Sequence, residues 1–292
     1  MAAQPAALTM AVSFTGSVKP HLTVLPFDYS ERAKFLLRIG GTGMVARLAN
    51  ESGKCSYRGM PWDFWLILLF LSVVIPWRGY ARLKKLLAQP TVDTREKLAI
   101  YAVTIAFQWA LAGVVAWRSI ARGLTLQDLG LGPQGWLGLL TGGLVGAGLV
   151  GALQWLNLRR IGRMEGEAPE LLRKLANRLL PVNLLEYFPY AALAITAGVC
   201  EEFVYRGFAI AAISKAGVPL PLVVVLSSVL FGLAHAYQGR GGMISTGIFG
   251  ALLAIGRLGF GSLVPVMMWH AGLDLAAGVA APKYLLKQAS SS

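Results

Sequence analysis

The sequence predicts an all-α, polytopic transmembrane helical bundle of about seven to eight spans, on three observations. Hydrophobic residues make up 55% of the 292 and charged residues 14%, whereas a soluble domain carries about 25% charged residues. Mean hydropathy is +0.58. From Trp62 onward, apolar runs approach the roughly 20 residues needed to cross a bilayer core, separated by short polar loops.

Residues 1–59 differ from the rest. They mix Ala, Ser, Thr and Gly with scattered basic residues and have no long apolar run. No basic segment precedes "AALTMAVSFTG", so it lacks the layout of a secretory signal. The segment reads as a poorly ordered or peripheral extension, with His21 a surface residue. Spans are expected near residues 62–80, 98–117, 136–158, 184–213, 220–236, 243–255 and 263–281. The fourth would be about 45 Å long as one helix at 1.5 Å per residue. It must tilt, overshoot the bilayer or break, and if it breaks, Pro189 is the candidate point. The sixth is short for a span. Trp62, Trp77, Trp117, Trp136 and Trp155 fall near span ends, as interfacial tryptophans do. The expected organisation is an extension over 1–59, N-terminal spans and basic loops over 60–183, a polar-group-bearing core over 184–282 and a short tail over 283–292.

"GAGLVG" at 146–151 matches a dinucleotide-binding pattern, but that pattern needs a strand before it and a helix opening at it. Here it lies inside an apolar run. Gly142 and Gly146 also form GxxxG, which favours close helix–helix packing.

The net charge of +13 does not indicate nucleic acid, because no basic stripe with interleaved aromatics occurs. The basic residues sit in loops instead, where they orient a membrane protein and meet anionic lipid. Loop 78–97 carries Arg78, Arg82, Lys84, Lys85, Arg95 and Lys97. Loop 159–181 carries Arg159, Arg160, Arg163, Arg173, Lys174 and Arg178, while loop 118–135 carries only Arg118 and Arg122. The first two should face the cytoplasm, and "ELLRKLANRLL" should lie on the inner membrane surface. Residues 1–59 would then be basic yet outside. A start at Met60 removes that conflict, so the extension is expected to be non-native or dispensable.

The ionisable residues of the last four spans are Glu186, Glu201, Glu202, Arg206, His235, His270 and Asp274, with Arg257 at a span end. A charge at the bilayer centre costs about 2.5–3.5 kcal/mol even on the lenient insertion scale, so such groups face a bundle interior or a wet cavity and are functional candidates. Glu202 and Arg206 are four residues apart with the acid first, the favourable order on one helical face. Glu201 points about 100° away and has no basic partner within its own helix, which leaves it available. Phe231 and His235 share a face of the next span, as do His270 and Asp274 on the last. A buried histidine is ordinarily a hydrogen-bonded core residue, and a Glu–Arg pair can be a structural staple. The crowding of these groups into three spans argues for use. Two histidines and three carboxylates are also permissive for zinc or iron, but HExxH is absent, and bound zinc is the lesser alternative to no cofactor. Cys55 and Cys200 form no metal or disulfide pattern.

Three motifs carry a resemblance. "EEFVYR" at 201–206, "FGLAH" at 231–235 and "HAGLD" at 270–274 resemble, in order and spacing, the EExxxR, FxxxH and HxxxN/D motifs of the CPBP family, the CAAX protease and bacteriocin-processing (Abi) membrane proteins. The resemblance covers roughly 184–281. It implies a glutamic-type intramembrane endopeptidase in which Glu201 and His235 activate water, Glu202 and Arg206 support the site, His270 and Asp274 receive the scissile carbonyl and its oxyanion, and Phe231 lies at the substrate. The last motif position is often Asn in the family. An ionised Asp accepts hydrogen bonds but cannot donate them, so Asp274 must hold a proton or orient His270.

The expected function is hydrolysis of peptide bonds in membrane-embedded or lipid-modified protein substrates. The expected location is a bacterial cell membrane, with one wet cavity opening toward the cytoplasm and serving Glu201, His235 and His270. The alternatives are a non-catalytic immunity or scaffold protein of the same fold and a proton- or ion-coupled transporter.

Overall fold

In lipid a backbone must satisfy its own hydrogen bonds, so apolar runs of this length become helices. The structure, a computed structural model, describes residues 59–89 and 91–286. The expectations for residues 1–58, including His21 and Cys55, and for the tail from Lys287 lie outside the described residues. The described residues form eight helices and no strand. They are α1 (Trp62–Ala88), α2 (Thr94–Ala121), α3 (Trp136–Ile161), α4 (Glu167–Leu179), α5 (Leu184–Lys215), α6 (Leu220–Ala234), α7 (Gly239–Phe260) and α8 (Val264–Ala281).

Five helical stretches are long and apolar enough to cross a membrane: α1, α2, α3, Ala236–Phe260 containing α7, and Val264–Leu286 containing α8. A sixth span results if α4 and α5 count as one, although they are bent by 105°. The protein is thus an integral, multi-pass membrane protein. All seven predicted spans appear as helices, with one alternative settled and one correction. Pro189 breaks nothing. It lies in the second turn of α5, where its missing N–H leaves one carbonyl near the helix start unpaired, and the helix runs on to Lys215. The sixth span is not short, because the glycines after Gln238 are helical and α7 has 22 residues. Among those seven the short one is α6, with 15 residues.

The helices alternate up and down. At one end Arg178 donates to the Gln89 carbonyl (2.9 Å) and Lys97 to that of Leu180 (2.9 Å). Both strongly basic loops are at this end. At the other end Arg122 pairs with Asp63 (3.0 Å) and Arg257 donates to the Asp128 carbonyl (2.7 Å). The amphipathic α4 turns across the basic end and packs Ala176 with Leu158, Ala281 and Leu285.

α2 packs on α5 and α3 on α8, so the first half of the chain closes the second. Gly142 and Gly146 face α8: Trp269 donates its indole N–H to the Gly142 carbonyl (3.0 Å), and a Cβ at Gly146 would collide with the Trp269 ring. The glycine pattern at 146–151 is therefore a packing seam in a helix interior. Gly146→Leu is expected to destabilise the bundle by about 1–3 kcal/mol through overpacking, read as a lower melting midpoint in detergent. An unchanged midpoint would show that the seam is loose.

Candidate active site

The site's geometry follows from helix lengths. α5 and α6 are antiparallel around residues 216–219, where Gly217 adopts a left-handed φ of +78°. At 1.5 Å per residue, Glu201 lies about 21 Å before the end of α5 and His235 about 22 Å beyond the start of α6. They therefore meet at one level, and because α6 stops there, His235 sits at a helix end with its side chain beside α5. α8 starts deep: the Leu263 N–H donates to the Gly130 carbonyl (2.8 Å), and at Gly207 a Cβ would lie 3.1 Å from the Leu129 carbonyl. Farther along, Gly198 lets α8 approach, since a Cβ there would lie 2.7 Å from the Met267 carbonyl. His270 is thereby brought level with Glu202.

Glu202 Oε1 accepts from Arg206 Nη1 (2.9 Å) and from His270 Nδ1 (2.8 Å). The Glu202 and Arg206 side chains are 0% exposed and that of His270 is 5%. Arg206 lies 3.9 Å above the centre of the Phe231 ring, and the missing side chain at Gly250 makes room for its guanidinium. This part of α5, Phe203–Ala209, is wound as a π-helix and all seven of its residues are buried. Such wide turns recur at functional sites.

Glu201 faces elsewhere, and its side chain is 21% exposed. Gln108 of α2 donates to Oε1 (2.7 Å). Oε2 has no hydrogen-bond partner in the protein and lies 4.0 Å from His235 Nε2. His235 Nδ1 is 2.9 Å from the Phe231 carbonyl. A carbonyl only accepts, so Nδ1 carries the hydrogen and Nε2 of the neutral ring presents its lone pair to Glu201. Asp274 Oδ2 is 3.7 Å from His270 Nε2, beyond hydrogen-bond length, and the Asp274 carbonyl accepts from Tyr190 (2.9 Å).

A cavity of about 310 Å³ reaches Glu201 and His235 and is lined also by Gln108, Tyr237 and apolar residues of α1, α2 and α4. His270 does not line it, so the expectation of one cavity serving all three groups is corrected: Glu202 and the Phe231 ring hold His270 on the far side. Phe231, expected at the substrate, is 1% exposed and packs against Arg206, His235 and His270. Glu201 likewise has a partner that in-helix spacing could not reveal. Gln108 belongs to none of the motifs, and its one signal in the sequence is that it is a lone amide midway along an apolar run. Among the described residues, no three His, Cys, Asp or Glu side chains are arranged to hold a metal ion.

Fold and site together define a multi-pass membrane protein whose buried acids and imidazoles, drawn from three helices, gather beside a cavity within the bundle. Residues 183–276 match a family model described as type II CAAX prenyl endopeptidase Rce1-like. Over that segment the chain is similar to the CAAX-protease (CPBP) family, which supports a membrane endopeptidase of the CAAX-protease type. No curated protein and no solved structure matches the chain significantly.

Proposed function

We propose that Glu201 and His235 together activate a water molecule for hydrolysis of a peptide bond in a membrane-embedded or prenylated protein. One observation carries this reading: two hydrogen-bond acceptors, Glu201 Oε2 and the lone pair of His235 Nε2, face each other at 4.0 Å. That is too far for a direct bond and within the span of one bridging water donating both its hydrogens. The water oxygen attacks the scissile carbonyl carbon while its proton passes to Glu201. As the C–N bond breaks, that proton is returned to the leaving amine, with His235 relaying it. Glu202, shared by Arg206 and His270, fixes the framework behind. The developing oxyanion is met from the α8 side by His270 and Asp274, which requires a proton on that pair, since an ionised Asp with a neutral imidazole lone pair offers no donor.

The reading needs no cofactor. Activity should survive a zinc chelator, and its loss on chelation with recovery on added zinc would replace glutamate chemistry by metal chemistry. Both strongly basic loops lie at one end of the bundle, which supports a cytoplasmic orientation for that end and an opening of the cavity toward it.

Product mass spectrometry on prenylated and unmodified membrane peptides tests the function. Wild type should yield defined fragments and Glu201→Gln none; identical fragments from both would end the proposal. Gln108 acts as a positioning residue. Gln108→Leu should lower kcat by about 10- to 100-fold through a mis-set carboxylate and leave KM unchanged. A rise in KM alone would assign it to substrate binding instead.

A further inference from the structure

At the basic end of the bundle the last turns of α3 meet the π-helical turn Pro282–Leu286 that extends α8. Gly162 makes the contact possible, since a Cβ there would lie 2.6 Å from the Tyr284 carbonyl. Two aromatic residues join across it. Trp155 donates its indole N–H to the Tyr284 hydroxyl oxygen (3.1 Å), and the rings meet edge to face with centroids 5.8 Å apart. The hydroxyl's own hydrogen finds no acceptor among the described residues. Lys283 Nζ stands over both rings, 5.6 Å from each centre. Arg159 follows Trp155 by four residues, one turn on along the same face of α3. Among the described residues neither Lys283 nor Arg159 is ion-paired. The acids nearby in sequence, Glu165 and Glu167, are outnumbered by Arg159, Arg160 and Arg163.

We infer that this corner binds the headgroup phosphate of an anionic phospholipid, with Lys283 and Arg159 on its oxygens and the Tyr284 hydroxyl donating a further hydrogen bond. Depth argues for a lipid. α3 has 26 residues and is about 39 Å long at 1.5 Å per residue, against a hydrocarbon core of about 30 Å. With the core centred on it, Trp155 lies just below the boundary and Arg159 in the headgroup layer. Basic pockets between spans at this level hold acidic headgroups. The rings argue for an anionic lipid over a zwitterionic one. A choline would seek the aromatic faces, but Lys283 already stands over both, and the choline would add a third cation beside Arg159. The site has a structural consequence. α4 rests on this corner through Ala176, packed with Leu158, Ala281 and Leu285. A lipid joining α3 to the end of α8 braces the mounting of α4. None of these groups takes part in the chemistry at Glu201, so the two readings stand or fall separately.

The test follows the thermal midpoint of the full chain in dodecyl maltoside with added dioleoylphosphatidylglycerol, dioleoylphosphatidylcholine or inorganic phosphate. Phosphatidylglycerol should raise the midpoint of wild type by about 3–8 °C more than phosphatidylcholine, the scale that mass action on the folded state gives near saturation. Lys283→Gln and Arg159→Gln should each remove about half of that difference or more, because each takes away a charge-assisted contact. Lys174→Gln removes the same charge from the same end, at an exposed position paired with Glu170 (2.7 Å), and should keep the difference. Equal midpoints for wild type in the two lipids overturn the proposal. So does a loss in Lys174→Gln as large as that in Lys283→Gln, which would mean a diffuse field in place of a site. A shift reproduced by inorganic phosphate would assign the corner to a soluble anion and overturn the lipid. Wild type released from nanodiscs of equal phosphatidylglycerol and phosphatidylcholine into a native mass spectrometer decides the matter even if a variant fails to fold. The retained lipid should be mainly phosphatidylglycerol, and retention in the input ratio overturns the proposal.

Discussion

Glu201→Gln should lower peptide hydrolysis by about 10³-fold while leaving the protein folded and membrane-inserted. The amide keeps the shape of the carboxylate and still accepts from Gln108 through its carbonyl oxygen. It cannot take a proton from water, and the group 4.0 Å from His235 Nε2 can now be an N–H donor, which would bind His235 or displace the water. General acid–base catalysis contributes about 10²- to 10⁴-fold, and a 10³-fold loss is about 4 kcal/mol of transition-state stabilisation. Because the Glu201 side chain is 21% exposed and makes no ion pair with Arg206, the substitution should leave the thermal midpoint within a few degrees of wild type. Full activity in this variant would remove Glu201 from the mechanism. Inactivity together with a collapsed midpoint would assign it a structural role.

Arg206→Met should do the opposite, acting on stability first. Among the described residues Arg206 is the largest fully buried side chain, and its removal leaves Glu202 charged with His270 as its remaining partner there. Taking one partner from a buried ion pair costs about 3–5 kcal/mol, a drop on the order of 10 °C in a thermal scan. The Phe231 ring would also lose the cation stacked 3.9 Å away, and with it the support under both imidazoles. The double variant Glu202→Gln/Arg206→Met should recover part of the loss, because no unpaired charge remains, yet stay impaired in activity. A double variant as unstable as the sum of the singles would mean that the pair is not coupled.

The spans were legible because a hydrophobic run in lipid has one backbone solution. Where expectation and structure differ, rules that hold for soluble proteins do not carry over. The glycines after Gln238, which would open a loop in a soluble protein, here continue the helix, and Pro189, a helix breaker in mid-helix, costs a single hydrogen bond near a helix start. The motif residues were legible through cost: Glu202, Arg206, His235 and His270 are expensive in apolar helices and so announced themselves. What stayed hidden depended on partners between helices. In-helix spacing revealed the Arg206–Glu202 pair but not the Gln108 bond to Glu201, nor that Glu202 serves His270 as well. Hydropathy located the end of α6 to within two residues, but whether a polar group faces the cavity or the packed side depends on how the helices pack, which hydropathy does not carry.

The wide turn at Phe203–Ala209 also bears on how the chain tolerates change. A turn of this kind holds one residue more than a regular coil, so it behaves like a one-residue insertion retained between the acids and the end of α5. Removing one residue after Arg206 would leave the motif intact and let the wide turn close to a regular one, with the helix on either side still in phase. The same deletion in the regular coil that follows would swing everything upstream by about 100° relative to the rest, so that the acid facing the chamber would be re-aimed while the helix itself stayed whole. In this stretch the phase of the rod, more than its composition, is under constraint.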